Sequence, residues 1–458
     1  MSVDTTTRAA ATLTAGSGTV HLSGDPGFDT ARRPWNLAVD QGPAAVVAPR
    51  TTRDVAAAVR SARRAGLRVA AQSTGHNAGP LAEQDLSDVV VIRTGALDEV
   101  TIDPERRIAR VGGGAVWAPV VRAAGAHRLA ALHGSSPDVG VAGYSLGGGL
   151  GWYARKLGMQ ASSLTAVVMV TADGDLVRAD RSQNADLFWA LRGGGGNFGV
   201  VTALEFRLHP VESAYAGWLV WDVTRAAEVL RGYEQWAAES PDEVSTSFRI
   251  LHVPPLAQIP EPLRGRSLAV VDGAVLGSDG HGAEVVRALR ALRPEMDTFG
   301  RMPAPALAHL HLDPPGPTPA VGTSALLGRL GPAGADAFVE RAATGRRNGL
   351  VMAELRQLGG AVGRPAPDGG ALDRLDGDYA FVSVGLAATP ELAATSRAAT
   401  RGLAGALRPW STGRSYLGFV ESRVPASTAF EQDRLDLLRA VRAAYDPDDV
   451  MVANHRLD

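Results

Sequence analysis

The 458-residue sequence contains no cysteine, which excludes disulfides, zinc–thiolate centres, iron–sulfur clusters and thiol nucleophiles together. Lysine is nearly absent as well. Lys156 is the single lysine among 46 basic residues, so Schiff-base chemistry has one candidate, and a P-loop has none because Arg155 stands where glycine would precede that lysine. Long apolar runs are missing: the stretch Leu164 to Ala172 is interrupted by Thr165 and falls well short of the ~18 to 20 residues of a membrane span. The opening MSVDTTTRAAATLTAGSGTV has no unbroken apolar segment, so no secretory signal is expected and the cytoplasm is the expected location. A formal net charge of -2 gives no basic surface for nucleic acid and no reason to expect a membrane partner.

What remains is an ordinary globular composition, 45% hydrophobic and 21% charged, in a chain long enough for more than one core. Ala44 to Ala48 reads as a buried strand. Thr51 and Asp54 form a capping-box pattern opening a helix with Val55, Ala58, Val59 and Ala62 on one face, and Leu67 to Gln72 returns as a second strand. This βαβ unit runs into the loop Ser73-Thr74-Gly75-His76-Asn77, at the carboxyl end of a strand, where functional loops are expected. Strand-like segments at 89–92, 100–103 and 108–111 follow, then a helix through Trp117, Val120 and Val121. Glycines concentrate at 112–114, 147–151 and 193–199, and the expected boundary lies near Pro210. Beyond it, strand-like runs such as Leu268 to Val271 and Leu350 to Leu355 alternate with Ala/Arg-rich helices such as Ala283 to Leu292. Asp433 to Ala444 has helical periodicity, broken at Tyr445-Asp446-Pro447. The expected segments are 1–38, 39–211, 212–412 and 413–458.

Two motifs point elsewhere when taken alone. Gly143-Tyr144-Ser145-Leu146-Gly147 matches the nucleophile elbow of an α/β-hydrolase, with Ser145 as nucleophile, but Pro137 and Gly140 precede it where an apolar strand is needed. Gly194 to Gly199 contains a G-x-G-x-x-G match that precedes the strand-like Val200 to Phe206 instead of opening a helix, so it is no dinucleotide fingerprint. His309 and His311 could share a strand face with Asp313, yet two imidazoles without a third ligand do not make a metal site, and no metal is expected.

In order along the chain, Ser73-Thr74-Gly75-His76-Asn77, Gly134-Ser135-Ser136-Pro137-Asp138-Val139-Gly140, and Gly143 with Gly147, Gly148, Gly149 and Gly151 resemble the berberine bridge enzyme-like FAD-linked oxidases. These belong to the p-cresol methylhydroxylase and vanillyl-alcohol oxidase superfamily. The similarity continues from Asp186 to Thr202 and resumes at Tyr445-Asp446-Pro447 and Asn454. Gly24-Asp25-Pro26-Gly27 and Arg33-Pro34-Trp35-Asn36 extend it toward the start. It covers the first 210 residues and the tail, whereas the middle of the chain matches only in general character.

The resemblance implies an α+β architecture: a two-subdomain FAD-binding domain, an antiparallel-sheet substrate domain covered by helices, and a C-terminal segment returning to the FAD domain. It implies FAD held by Ser73, Thr74, Gly75, His76 and Asn77, with His76 bonded to the flavin ring methyl. Further contacts fall to Ser135, Ser136, Val139, Gly140, Gly143 and Tyr144, then to Gly148, Gly149, Gly151, Gly199, Val200 and Asn454. Backbone N–H groups exposed by glycines can hold a pyrophosphate without lysine. Ser136 occupies the position of the cysteine that forms a second flavin bond in many relatives, so His76 is the one residue able to carry a covalent link. Thr74 replaces a glycine, at a position where a positive φ would be costly, and Asn77 replaces a serine. Val139 stands where oxygen-reactive relatives keep a small residue, which implies molecular oxygen as acceptor.

The implied reaction is hydride transfer from a small-molecule C–H to flavin N5 while a base removes an adjacent O–H or N–H proton. Tyr416 ranks first as that base and Glu354 second. Gly418 replaces the asparagine of the family's Tyr-x-Asn-Phe strand. An aromatic, polyketide or other natural product is the expected substrate. Alternatives left open are FAD supporting a non-redox cyclisation or rearrangement, and hydrolysis by Ser145.

Overall fold

The computed structural model describes residues 10–257, 259–314 and 316–458; the first nine residues of the N-terminal segment lie outside it. Three sheets organise these residues. The first contains β1 (Thr19–Leu22), β2 (Ala45–Ala48), β3 (Arg68–Gln72) and β4 (Val89–Arg93) in the order β1-β2-β4-β3. β2, β4 and β3 run parallel, and Val46, Val47, Val90 and Val91 are fully buried, as expected of parallel strands covered on both faces. Helix α1 (Thr52–Arg64) joins β2 to β3. Its capping box is formed: Thr51 Oγ1 accepts from Asp54 N at 3.2 Å and the Asp54 carboxylate accepts from Thr51 N at 3.0 Å. The two strands of the expected βαβ unit are not neighbours, however, because β4 inserts between them.

The second sheet has β5 (Val100–Asp103), β6 (Ile108–Gly112), β7 (Leu164–Val170), β8 (Leu176–Asp180) and β9 (Val200–Arg207), antiparallel in the order β5-β6-β9-β7-β8. The apolar run read at residue 164 is therefore a central strand. Between β6 and β7 the chain makes α2 (Trp117–Gly125) and the one-and-a-half-turn α3 (Val141–Leu146). Trp117, Phe188, Phe198 and Phe206 fill the core beneath.

The third sheet is eight-stranded: β10 (Ser213–Asp222), β11 (Val244–His252), β12 (Ser267–Val275), β13 (Met296–Asp297), β14 (Gly300–Pro303), β15 (Ala320–Leu327), β16 (Leu350–Gln357) and β17 (Tyr379–Leu386). Every pairing in it is antiparallel. Strand alternation divides its residues between two faces. Leu219, Trp221, Phe248 and Phe381 face α4 (Ala226–Glu239), α5 (Gly331–Ala342) and α6 (Pro390–Leu407). Trp218, Val220 and Val270 face Trp152 and Tyr153 of the glycine-rich region. The helix expected at 283–292 is two short pieces, Asp279–Val285 and Arg287–Arg290. Helix α7 (Gln432–Tyr445) ends at the predicted break. Asp446, buried just beyond it, accepts from Val450 N and Met451 N at 2.7 and 2.8 Å. That turn lays the tail along the free edge of β3, where Val69 N donates to Val450 O and Val452 N to Val69 O at 2.8 and 2.7 Å.

Candidate functional site

The loop leaving β3 is the first wall of the site. Its left-handed residue is Gly75, at φ +84°, where a Cβ would sit 2.6 Å from Pro34 Cβ. Thr74 is absent from the positive-φ residues, so the glycine requirement falls one residue later than the resemblance placed it, and the threonine is no obstacle. Trp35 N donates to Thr74 O at 2.9 Å, which brings the indole over His76: the rings stack at 3.9 Å with an interplanar angle of 19°. His76 Nε2 lies 3.4 Å from Asp138 Oδ1, bent away from hydrogen-bond geometry. Asp138 also accepts from Trp35 Nε1 at 2.7 Å and from Ser136 Oγ at 2.9 Å. Burial would raise the Asp138 carboxyl, but His76, Trp35 and Ser136 outweigh it and hold the group well below the usual carboxylate range.

The loop carrying Ser135, Ser136 and Val139 closes against the first through Gly140, where any Cβ would run into Ser73 Oγ. Asn77 is tied to two distant segments, donating to Leu417 O at 3.1 Å and accepting at its own carbonyl from Asn454. Asn197, in the third glycine cluster, donates to His455 O at 3.0 Å.

Helix α3 and the glycines after it form the floor. Gly143 presents its Cα to open space, with nothing within 4 Å of a built Cβ. Gly149 is left-handed at φ +83°. The Tyr144 ring is boxed by the α-carbons of Gly134, Gly149 and Gly151, and neither Gly151 nor Gly148 has room for a side chain without displacing a neighbour. Several buried polar atoms of these loops have no protein partner: the Tyr144 hydroxyl and both amide atoms of Gln160 beside Gly149, and the side-chain oxygens of Asn77 and Asn197 near His455. Buried groups of this kind are rarely left unsatisfied. Together with glycines that keep backbone exposed, they fit a polar, flat cofactor lying across the loops. Gly199, at φ +150°, abuts Val170 O. Val200 does not join the wall: its side chain is buried in the first sheet's core beside Val170 and Val450, leaving only its backbone to contribute.

The third sheet supplies the opposite wall. Tyr416 is buried, and its hydroxyl accepts from Gly149 N at 2.9 Å; burial pushes the phenol up to about 12, against lowering by the Gly149 N–H and Arg356. It lies before a single 3-10 turn, Leu417–Phe419, not on the strand expected there, because the ring folds back over Gly418, whose α-carbon it packs against. Phe419 meets Tyr416 edge-on at 5.0 Å. Glu354, on β16, is also buried but is not free. Arg356 Nε donates to its Oε1 at 2.8 Å and His311 Nε2 is 3.5 Å away. Burial would raise this carboxyl; Arg356, His311 and Arg249 hold it far below instead. A carboxylate held so low is a poor proton acceptor, which corrects its ranking as a candidate base.

Sequence reasoning named His311 and Asp313 only as weak metal candidates and missed Arg356, Arg249 and Asp272. Arg356 extends to Ser135 Oγ at 3.3 Å and Leu150 O at 3.4 Å, joining the third sheet to the loops. Its guanidinium sits over Trp152 and Phe419 at 5.4 and 5.5 Å. His311 pairs with Asp313 at 2.7 Å, and Arg249 with Asp272 at 2.5 Å. The available signal was Glu354-Leu355-Arg356 itself, charges two apart in an apolar strand, which share a face.

One expectation is settled against. Ser145 lies inside α3, fully buried, its hydroxyl without a hydrogen-bond partner; a nucleophile elbow needs an exposed serine bonded to a base. The hydrolase alternative falls with it. His311 is an ion-pair partner of Asp313 and Glu354, and no group of three metal-ligating side chains occurs among the described residues. Among those residues no helix is long and apolar enough to cross a membrane.

Residues 43–180 match the model of an FAD-binding domain. Glucooligosaccharide oxidase of Sarocladium strictum is 32% identical over 245 residues, 52% of this chain and 49% of that protein. The chain thus spans about half the length of the curated relatives it matches. The wild-type BBE-like 1 protein of Physcomitrella patens superposes with a TM-score of 0.84 at 22% identity, covering 100% of this chain and 99% of that one. A glucooligosaccharide oxidase from Acremonium strictum, whose structure is described as carrying a 6-S-cysteinyl, 8α-N1-histidyl FAD, superposes at 0.78 with 22% identity over 98% of both chains.

Proposed function

We propose that this chain, which carries an FAD-binding domain on the fold of the berberine bridge enzyme-like proteins, is an FAD-linked oxidase of small molecules. The observation that carries the reading is the glycine-lined floor at Gly149, which the buried Tyr416 touches directly and where the Tyr144 hydroxyl and the Gln160 amide are buried without a partner. When bound, FAD supplies the hydride acceptor and returns its electrons to molecular oxygen. Tyr416 is the group placed to take the substrate's O–H or N–H proton at its phenolic oxygen. The Gly149 N–H at 2.9 Å fixes that oxygen and, with the positive charge of Arg356, lowers the phenol against the larger raising by burial. Trp152 and Tyr153 pack under the third sheet and keep water from the wall. His76 is the residue for a covalent bond, as a histidine is in the Acremonium strictum enzyme; the cysteinyl position is Ser136. The substrate is an alcohol or amine bearing a hydrogen on the neighbouring carbon, and aromatic or polyketide natural products are the class proposed.

The test is anaerobic mixing of purified yellow protein with such a compound, followed by admission of oxygen. Bleaching of the flavin and its recovery with peroxide release are expected. A colourless protein overturns the FAD reading. Turnover without bleaching overturns the redox reading in favour of cyclisation or rearrangement.

A further inference from the structure

We propose that Arg356 is a carboxylate-binding residue of the substrate pocket, so that the molecule oxidised here carries a carboxylate in addition to the C–H that gives up its hydride. The inference rests on the FAD reading above and narrows its substrate class. Consecutive residues of the floor bring Arg356 beside Tyr416. Gly149 N donates to the Tyr416 hydroxyl at 2.9 Å, and the next carbonyl, Leu150 O, accepts from Arg356 Nη1 at 3.4 Å. The guanidinium charge is felt at the Tyr416 phenol and at that of Tyr144 across the floor, lowering each against the raising by burial.

Arg356 is the part of the buried charge cluster that reaches the loops. Each carboxylate behind it already has its cation: Asp272 pairs with Arg249 at 2.5 Å, Asp313 with His311 at 2.7 Å, and Glu354 with Arg356 Nε at 2.8 Å. The bond to Glu354 uses the Nε–H, whereas the two terminal nitrogens carry four further N–H donors. Nη1 reaches Leu150 O at 3.4 Å, and Nη2 reaches Ser135 Oγ at 3.3 Å and His311 Nε2 at 3.5 Å. All three contacts are longer than the roughly 2.7 to 2.9 Å of a charge-assisted hydrogen bond. His311, which keeps its proton up to about 9, is itself a donor and offers Nη2 no lone pair.

The rings of Trp152 and Phe419 lie 5.4 and 5.5 Å from the guanidinium carbon and hold the group in place. The Trp152 Nε1–H is buried without an acceptor as well. Donors therefore exceed acceptors at this point of the wall, beside a cation whose two terminal nitrogens are weakly bonded. A planar fork of this kind matches the two oxygens of a carboxylate, and a neutral hydroxyl brings one oxygen and no charge to it.

The experiment uses the full chain expressed with its FAD. It is titrated with benzoate, and with benzamide as a neutral molecule of the same shape, while the visible flavin spectrum is followed. Wild type, Arg356→Lys and the double variant Glu354→Gln/Arg356→Gln are compared; the double variant removes both charges of the pair and leaves neither buried alone. The wild type should bind benzoate at least about 10-fold more tightly than benzamide, the scale of a charge-assisted hydrogen-bonded contact. The double variant should keep its flavin and lose this preference, and Arg356→Lys, a point charge without the fork, should keep part of it. A yellow wild type with no benzoate-dependent shift, or with equal affinity for the two molecules, overturns the proposal while the FAD reading stands. A double variant that keeps the preference overturns it too, and a lowered flavin reduction potential in that variant assigns the Arg356 charge to the cofactor instead. A colourless wild type overturns the FAD reading and this proposal with it. Should the double variant fail to fold, the wild type and Arg356→Lys decide, and an undiminished preference in the lysine variant overturns recognition by the fork.

Discussion

Raising the pH from 6.5 to 9 should unfold this protein more easily through one residue, His311. Its side chain is 2% exposed and packed between Asp313 at 2.7 Å and Glu354 at 3.5 Å. Burial and Arg249 push the imidazole down, but the two carboxylates more than offset both and carry it from 6.5 up to about 9. A base whose affinity for its proton is raised by folding contributes stability that is fully present below the unfolded value, and loses it as pH rises through the folded one. At about 1.4 kcal/mol for each tenfold in proton affinity, the loss between those limits is about 3 kcal/mol. Other histidines do not confuse the window. His133, His209 and His455 are pushed down to about 4, by burial first, so they are neutral in native and unfolded chains alike above 6.5. Glu421, raised by burial to about 7, loses its contribution mostly at lower pH and is common to both proteins compared. Urea unfolding of wild type and His311→Gln at pH 6.5 and 9 is the assay. The wild type should lose about 3 kcal/mol more than the variant, and parallel losses would refute a protonated His311.

Three further outcomes follow from the site. Tyr416→Phe should slow anaerobic flavin reduction by about 10² to 10⁴ while leaving the Gly149 N–H unpartnered at about 1 to 3 kcal/mol; stopped-flow absorbance showing an unchanged rate would remove Tyr416 as the base. Gly151→Ala pushes a methyl into the backbone carbonyl of His133, which cannot rotate away, so purified variant should carry much less flavin per protein, and an undiminished ratio of visible to ultraviolet absorbance would contradict the close packing of the floor. Ser145→Ala removes a buried hydroxyl that has no partner; thermal stability within about 1 kcal/mol of wild type and unchanged oxidase activity are expected, and loss of activity would reopen a catalytic role.

The cofactor half of the site was legible because its constraints are local. Glycines and the Ser73–Asn77 stretch mark backbone that must approach something closely, and a turn keeps that signature within a few residues. Thr74 shows the limit: the left-handed residue is Gly75, and only backbone geometry tells one position from its neighbour. The substrate wall was hidden for the opposite reason. Arg356, His311 and Arg249 come from three separate stretches, and their pairing depends on the register that sets Arg249 opposite Glu354, which no one-dimensional pattern records. Asp138 was visible as a letter in a motif but not as a partner of His76, since Trp35 brings the two together from a hundred residues away. The order β1-β2-β4-β3 escaped for the same cause, as sequence adjacency favoured pairing β2 with β3.

The tail that hydrogen-bonds along β3 has a temporal meaning. Residues 446–455 pin the strand that delivers the His76 loop, and Asn454 closes on Asn77, so the pocket lacks one wall until the ribosome has made all three sheets. The seat of the His76 loop is thereby completed by a segment far from it in sequence, and not by the first sheet alone.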